Sequence, residues 1–150
     1  MARRYIRWVP SPRLMKTIGR VHAFLYRATR GVVGGHMDGL DILLLHTRGR
    51  RSGEWRCVPV PYFESGRDLL LIASFGGNDR HPAWYLNLRA HPEVELQVGG
   101  RKLGSRAETA TGEERARLWQ QVIDDQPRYA DYQRKTSREI PVVVLRGAAR

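Results

Sequence analysis

The sequence predicts an α+β fold that is mainly β: six mostly antiparallel strands around one core, forming a small barrel with helices packed outside. Three observations carry that expectation. Short apolar runs recur between Gly-rich turns, as in "ILLLHT", "LLLIA" and "IPVVVLR". Helical periodicity enters only as insertions between pairs of such runs. The resulting order, α-β-β-β-α-β-β-α-α-β, never settles into βαβ alternation, which argues against a doubly wound parallel sheet. At 150 residues with 41% hydrophobic content, the chain is expected to be one domain, 1–150, with enough core to fold without disulfides or metals.

The first element is a helix at about 12–30. Ser11-Pro12 supplies an N-cap and a first-turn proline, and Gly31 follows the last turn. Leu14, Ile18, Val21, Leu25 and Ala28 fall on one face, with Arg13, Lys16, Arg20 and Arg27 on another. Such a helix either packs its apolar face on the barrel, leaving the basic face solvated, or lies on a membrane surface. Residues 31–39 read as a Gly-rich loop. Ile42 to Thr47 is a strand, and Cys57 to Phe63 is a second. Pro59 and Pro61 each remove a ladder donor from that second strand, so it lies at an edge or is bulged. Glu64 to Asp68 turns the chain into a buried strand, Leu69–Ala73.

After the loop "SFGGND", Pro82 opens a helix that ends at His91-Pro92. "EVELQV" (93–98) alternates as a half-buried strand does, and Gly99-Gly100 turns it into a partner at about 102–110. Thr111 and Glu114 have capping-box spacing at the start of a helix expected to bury Ala116, Trp119, Val122 and Ile123. A short helix carries Tyr129 and Tyr132, and residues 140–146 form the last strand.

Charge is unevenly spread. The net charge is +11, and residues 1–56 contain twelve Lys or Arg against three Asp or Glu. A field of that kind attracts an acidic partner: nucleic acid, anionic lipid or a phosphorylated small molecule. Cys57 is the only cysteine, which fits a reducing compartment such as the cytoplasm. No apolar run reaches the roughly 18–20 residues of a membrane span, and MARRYIRWVP lacks a secretory apolar stretch. Histidine and cysteine spacings match no metal motif, so no metal is expected. A nucleophile elbow, a Walker loop and a GxGxxG fingerprint are also missing.

The stretch "HTRGRRSGEWR" stands apart. Arg48, Arg50, Arg51 and Arg56 crowd one turn whose Gly49 and Gly53 permit a tight path, with Thr47 and Ser52 as hydroxyl donors. Arginine forks suit phosphate and carboxylate. The turn is either an anion site or a solvated hairpin. A second Gly loop, "ASFGGNDRHPAWY", leads into a helix start, with Trp84 and Tyr85 either at a ligand ring or in the core.

"HTRGRRSGEWRCVPVPYF", "ASFGGNDRHPAWYLNLRAHPEVELQV" and "YADYQ…IPVVVL" together resemble the deazaflavin-dependent nitroreductase family, actinobacterial oxidoreductases of the split β-barrel, FMN-binding-like superfamily, over roughly residues 12–146. The resemblance implies coenzyme F-420, a deazaflavin with a phosphate arm and an oligoglutamate tail. Arg50, Arg51, Ser52 and Arg56 would hold its anionic part. Val58, Pro59, Tyr62, Ala73, Ser74, Gly76 and Gly77 would line the deazaflavin, with Trp84 and Tyr85 beside it. Ser74, Tyr129 and Tyr132 would act on the substrate side, protonating or polarising an electron-poor acceptor such as a quinone or nitroaromatic. Tyr129 and Tyr132 lie three apart on one helical face, which equally suits core packing. Phe75 departs from the family, which often carries Lys or Asn there. The implied enzyme is cytoplasmic, with the basic helix as a peripheral contact at the inner face of the membrane. Two other readings stay open: a non-catalytic module binding anions or nucleic acid, and a barrel that uses FMN or haem. The residues do not decide the oligomeric state.

Overall fold

The structure is a computed structural model that describes residues 11–149. The basic start, 1–10, lies outside the described residues. The elements are α1 (Pro12–Thr29), β1 (His36–Met37), β2 (Leu40–Arg48), β3 (Trp55–Pro61), β4 (Phe63–Ser65), β5 (Asp68–Ile72), α2 (Ala83–Ala90), β6 (Glu93–Val98), β7 (Arg101–Thr109), α3 (Gly112–Asp125), α4 (Arg128–Arg134) and β8 (Val142–Leu145). A single 3₁₀ turn, Phe75–Gly77, sits between β5 and α2.

Every strand pair is antiparallel, in the order β1-β2-β6-β7-β8-β5-β4, with β3 on the free side of β2. The eight strands reduce to the expected six and a short addition. β3 and β4 are one stretch of chain bent at Tyr62, pairing with β2 through its first half and with β5 through its second. The bend closes the curled sheet into a split barrel. It falls where Pro59 and Pro61 deny β3 a full second ladder, and β3 pairs with β2 alone. The addition is β1, which the sequence reading assigns to a loop. Asp38 and Gly39 both adopt positive φ (53° and 77°), a two-residue hairpin of the primed kind for which Asp-Gly is a strong signal.

Three apolar clusters define the layers. Leu43, Leu45, Leu69, Leu71, Leu96, Val143 and Leu145 fill the barrel with Tyr85 and Leu88 of α2. The opposite faces of β5 and β8, through Leu70, Ile72, Val142 and Val144, pack on Leu118 and Val122 of α3 and Tyr129 of α4. Ile42 and Leu44 pack on Ala23 and Tyr26 of α1. These strands are apolar throughout because both faces are covered.

Two helix assignments need correction. α1 is capped as expected, with Ser11 Oγ accepting from Leu14 N–H at 3.3 Å, but Arg30, in the left-handed region, ends it one residue before Gly31. The face turned to the barrel is not the Leu14 stripe. Ala23 and Tyr26 are buried, and Tyr26 Oη accepts from Gly99 N–H at 2.7 Å. His22 adds a 2.6 Å bond between Nε2 and Gly34 O. These contacts fix the rotation of the helix and leave Leu14, Met15, Ile18, Val21, Phe24 and Leu25 exposed. In α3, Thr111 is the N-cap but its side chain makes no cap bond. Glu114 instead pairs with Arg146 at 2.8 Å, in a cluster with Asp68 and Glu108. The helix buries Leu118 and Val122, half-buries Trp119 and Ile123, and leaves Ala116 exposed.

Candidate active site

Two concavities meet at the loop that follows β5. The first, of about 170 Å³, is lined by Asp38, Met37, Leu40, Pro61, Ser74, Gly76, Arg128, Tyr129 and Tyr132. The second is an open groove of about 500 Å³ lined by Arg50, Phe75, Asp79, Arg80, His81, Ala83 and Leu86. Ser74, Phe75 and Gly76 alternate between them, so this one turn is the shared wall. Its backbone is unusual: φ is 48° at Phe75, 64° at Gly76 and 84° at Gly77. Glycine takes that region freely, whereas for phenylalanine it costs about 1–2 kcal/mol. Gly77 is required for a second reason. A Cβ there would stand 2.6 Å from Tyr132 O, so glycine lets the loop touch the α4 backbone.

Ser74 and the two tyrosines, more than fifty residues apart in sequence, share the first cavity. α4 places the tyrosine rings edge to face at 5.4 Å, and Phe63 meets Tyr129 edge to face at 5.5 Å. Arg128 and Gln126 donate to the carbonyls of Asp38 and Gly39, fastening the start of α4 to the β1–β2 hairpin. Burial, and then the neighbouring Tyr132, push the Tyr129 hydroxyl up to about 12. That phenol is a protonated donor at neutral pH.

The arginine turn borders the groove through Arg50. Its path is set internally: Gly49 N–H donates to Glu54 O and Gly53 N–H to Gly49 O, both at 2.8 Å, and Ser52 Oγ accepts from Glu54 N–H at 3.2 Å. Four turn amides are therefore used by the fold, since Arg50 N–H donates to Asn87 Oδ1 at 3.1 Å. The amides of Arg51 and Ser52 have no acceptor among the described residues. Among the side chains, Arg48 lies over the Trp55 ring at 5.2 Å and Arg56 pairs with Glu54 at 3.2 Å. Arg50 and Arg51 have no carboxylate within ion-pair distance among the described residues.

The other sequence-predicted residues fall in three places. Val58 and Pro59 are half-buried on β3, opposite Leu45 and Leu44. Tyr62 stands at the bend, its hydroxyl also pushed up to about 12 by burial. Ala73 and Tyr85 belong to the barrel core, with Tyr85 Oη 3.1 Å from Thr109 Oγ1 and Trp84 packed against that core. Neither Trp84 nor Tyr85 lines either of the two concavities described above, which favours the packing reading of these aromatics. Arg51, Ser52 and Arg56 stand on the turn beyond Arg50.

Sequence reasoning passed over Asn87, His81, Arg128 and Arg138. Asn87 had a signal, a lone amide among the apolar residues of α2. It is buried, and its Nδ2 donates to Thr47 Oγ1 at 3.2 Å, tying the helix to the end of β2 and the start of the turn. Arg138 had none, because its partners, three carbonyls and a ring nitrogen, belong to a distant loop.

The geometry is thus a split barrel with a turn of uncommitted arginines beside an open groove and, across the 74–76 turn, a cavity with phenol and hydroxyl donors. Residues 17–147 match the profile of the family described as F420H(2)-dependent quinone reductase. The chain belongs to that family. An F420H(2)-dependent quinone reductase of Mycobacterium tuberculosis is 42% identical over 130 residues, covering 84% of this chain and 87% of the relative. The solved structure of an F420-H2-dependent reductase aligns with a TM-score of 0.63 at 40% identity, over 69% of this chain and 92% of its own. A structure described as a domain-swapped dimer aligns with a TM-score of 0.66 at 36% identity, over 90% and 99%.

The donor set of this quinone reductase family member fits the coenzyme the family name carries. Among the described residues Arg50 and Arg51 lack internal counter-ions and the Arg51 and Ser52 amides lack acceptors, so the turn keeps positive charge and N–H donors uncommitted within the fold. The open groove beside it and the partly apolar cavity lie on either side of the 74–76 turn.

Proposed function

We propose that this family member reduces a quinone at the cavity shared by Ser74, Tyr129 and Tyr132, with the arginine turn gripping the anionic end of its coenzyme. As a member of its family the chain is an oxidoreductase, and reduced F-420, when bound, supplies a hydride. Arg50, Arg51, Ser52 and Arg56 hold the phosphate and carboxylates. Ser74 and Gly76 shape the wall between groove and cavity. Converting a quinone to a hydroquinone takes up one hydride and one proton in sum. The raised Tyr129 keeps a phenolic hydrogen available to polarise the acceptor oxygen, and Tyr132 and the Ser74 hydroxyl border the same space. Leu40, Met37 and Pro61 keep the cavity partly apolar, as a quinone ring demands.

The observation that carries this reading is the meeting of Ser74 with the α4 tyrosines beside the arginine turn. The experiment is anaerobic oxidation of reduced F-420 with menadione, followed by absorbance. Tyr129→Phe, Tyr132→Phe and Ser74→Ala are each made. At least one is expected to lower kcat by about 10²-fold, the scale of a well-placed proton donor. Wild-type kcat in all three variants would move the chemistry elsewhere.

The same reading puts the protein in the cytoplasm, at the inner face of the membrane, where lipophilic quinones reside. The described residues include no helix long and apolar enough to cross a membrane. The support is α1, whose outer face exposes Ile18 (49%), Val21 (54%) and Phe24 (64%), with four basic residues and no acidic ones along the helix. Vesicles containing anionic lipid should carry the wild type upward in flotation and leave Ile18→Asp/Val21→Asp behind. Equal flotation of the two proteins would remove the membrane from the proposal.

A further inference from the structure

Arg138 follows α4, and Gln133 of that helix pins its segment. The Gln133 amide donates to Arg138 O at 2.8 Å and accepts from Ile140 N–H at 2.9 Å. From this anchor the guanidinium reaches the loop after β5. Nε donates to Asn78 O at 2.8 Å, Nη2 to Ser74 O at 2.8 Å and Ala73 O at 3.1 Å, and Nη1 to His81 Nδ1 at 3.2 Å. One side chain thus satisfies four acceptors spread over residues 73–81. No carboxylate comes within ion-pair distance of it among the described residues, so its hydrogen bonds all go to neutral acceptors; burial works against the half-buried charge, and nearby Asp79 supports it. Such an arrangement is costly unless every donor is used, and here the fork uses three of its nitrogens at once.

The bond to His81 has a chemical consequence. A ring nitrogen that accepts from a guanidinium carries no proton, so the neutral ring must carry its hydrogen on Nε2. The His81 ring lies tilted against Tyr85 at 4.9 Å and borders the groove with Arg50 and Arg80. Burial opposes a second proton on it, and Arg138 on one side and Arg89 nearby act in the same direction.

We infer that Arg138 is a positioning residue of this site. It sets the loop that carries Ser74 into the cavity, and it fixes His81 as an Nε2–H donor to the anionic ligand in the groove. The second half rests on the functional reading above. The first half does not, and the two can be tested apart.

The ligand-free protein is tested first, comparing wild type with Arg138→Met and Arg138→Lys. Hydrogen exchange of the bonded loop amides, Gly77, Asn78 and Arg80, should accelerate at least tenfold in Arg138→Met while β5 and β8 keep their protection, and Arg138→Lys should recover part of it. Long-range ¹⁵N spectra at pH 7.5 should show wild-type His81 as the Nε2–H tautomer and a mixture in Arg138→Met. An Nδ1–H or doubly protonated ring in the wild type overturns the clamp, whether or not Arg138→Met folds. So does unchanged exchange of the loop. F-420 titration and menadione kinetics follow. Arg138→Met should lower kcat at least tenfold and weaken F-420 binding, with the KM for menadione moving less. Kinetics and binding within twofold of wild type, in a protein whose loop has loosened, overturn the positioning role. A wild type that oxidises no F-420 with any quinone overturns the functional reading and the role together, while the two ligand-free measurements still decide the clamp.

Discussion

Asn87 connects two parts of the molecule that function needs together. Its carboxamide oxygen accepts from Arg50 N–H at 3.1 Å, and its nitrogen donates to the buried Thr47 hydroxyl at 3.2 Å. Asn87→Leu keeps the branched outline of the side chain, at a larger volume, and removes both bonds. Each is worth about 0.5–1.5 kcal/mol net, and Thr47, almost fully buried, loses a partner that water does not replace. The expected cost is about 2 kcal/mol. With a urea slope of roughly 1–3 kcal/mol/M for a small domain, the midpoint should fall by about 1 M. Asn87→Ala should lose a further ~1 kcal/mol through the void it leaves. Because the turn is then anchored at one end fewer, F-420 affinity should fall about threefold to tenfold, read by fluorescence titration. The reasoning fails if Asn87→Leu unfolds at the wild-type midpoint and binds F-420 as tightly. Packing alone, without the two bonds, would then be holding the turn.

Gly77→Ala puts a Cβ 2.6 Å from Tyr132 O at φ 84°, so strain and clash together should cost about 3 kcal/mol or more, whereas Gly76→Ala meets open space and should cost only the ~1–2 kcal/mol of a left-handed residue. Equal melting midpoints for the two variants would contradict the contact with α4. Among the arginines, Arg51→Ala should weaken F-420 more than Arg56→Ala, because Arg56 already shares its charge with Glu54. A charge-assisted contact removed at Arg51 is worth about 1.5–3 kcal/mol, roughly 10- to 100-fold in Kd, and the reverse ranking would argue against the turn as drawn. Burial holds both His46 and His81 below the usual 6.5. The unfolded chain therefore takes up these protons first as pH falls through about 6.5, so stability is full above that pH and declines below it. Urea midpoints should drop between pH 7.5 and 5.5, and His81→Asn should flatten part of the slope; a slope the variant leaves untouched would remove His81 from the account.

Much of the barrel was readable because its signals are local. Apolar runs covered on both faces, the alternation of 93–98 and the prolines of β3 each need only a few neighbouring residues to declare themselves. The Asp38-Gly39 hairpin was equally local and was passed over inside a Gly-rich stretch. The arginine turn was legible as a charge anomaly, since four like charges on one short turn need an explanation wherever it folds.

What the sequence by itself determined is therefore the inventory: the strands, the helix ends, the positive turn, and the phenols and hydroxyl available for chemistry. Periodicity reports that α1 has an apolar stripe, but not what covers it. Tertiary structure decided that Tyr26 and His22 would anchor the helix, turning Leu14, Ile18 and Val21 outward. It likewise brought Ser74 to Tyr129 and Tyr132, buried Tyr85 in the core, and gave the 73–81 carbonyls to Arg138. These outcomes depend on contacts between segments tens of residues apart, whose free energy exists only once the sheet has closed and the surfaces have met.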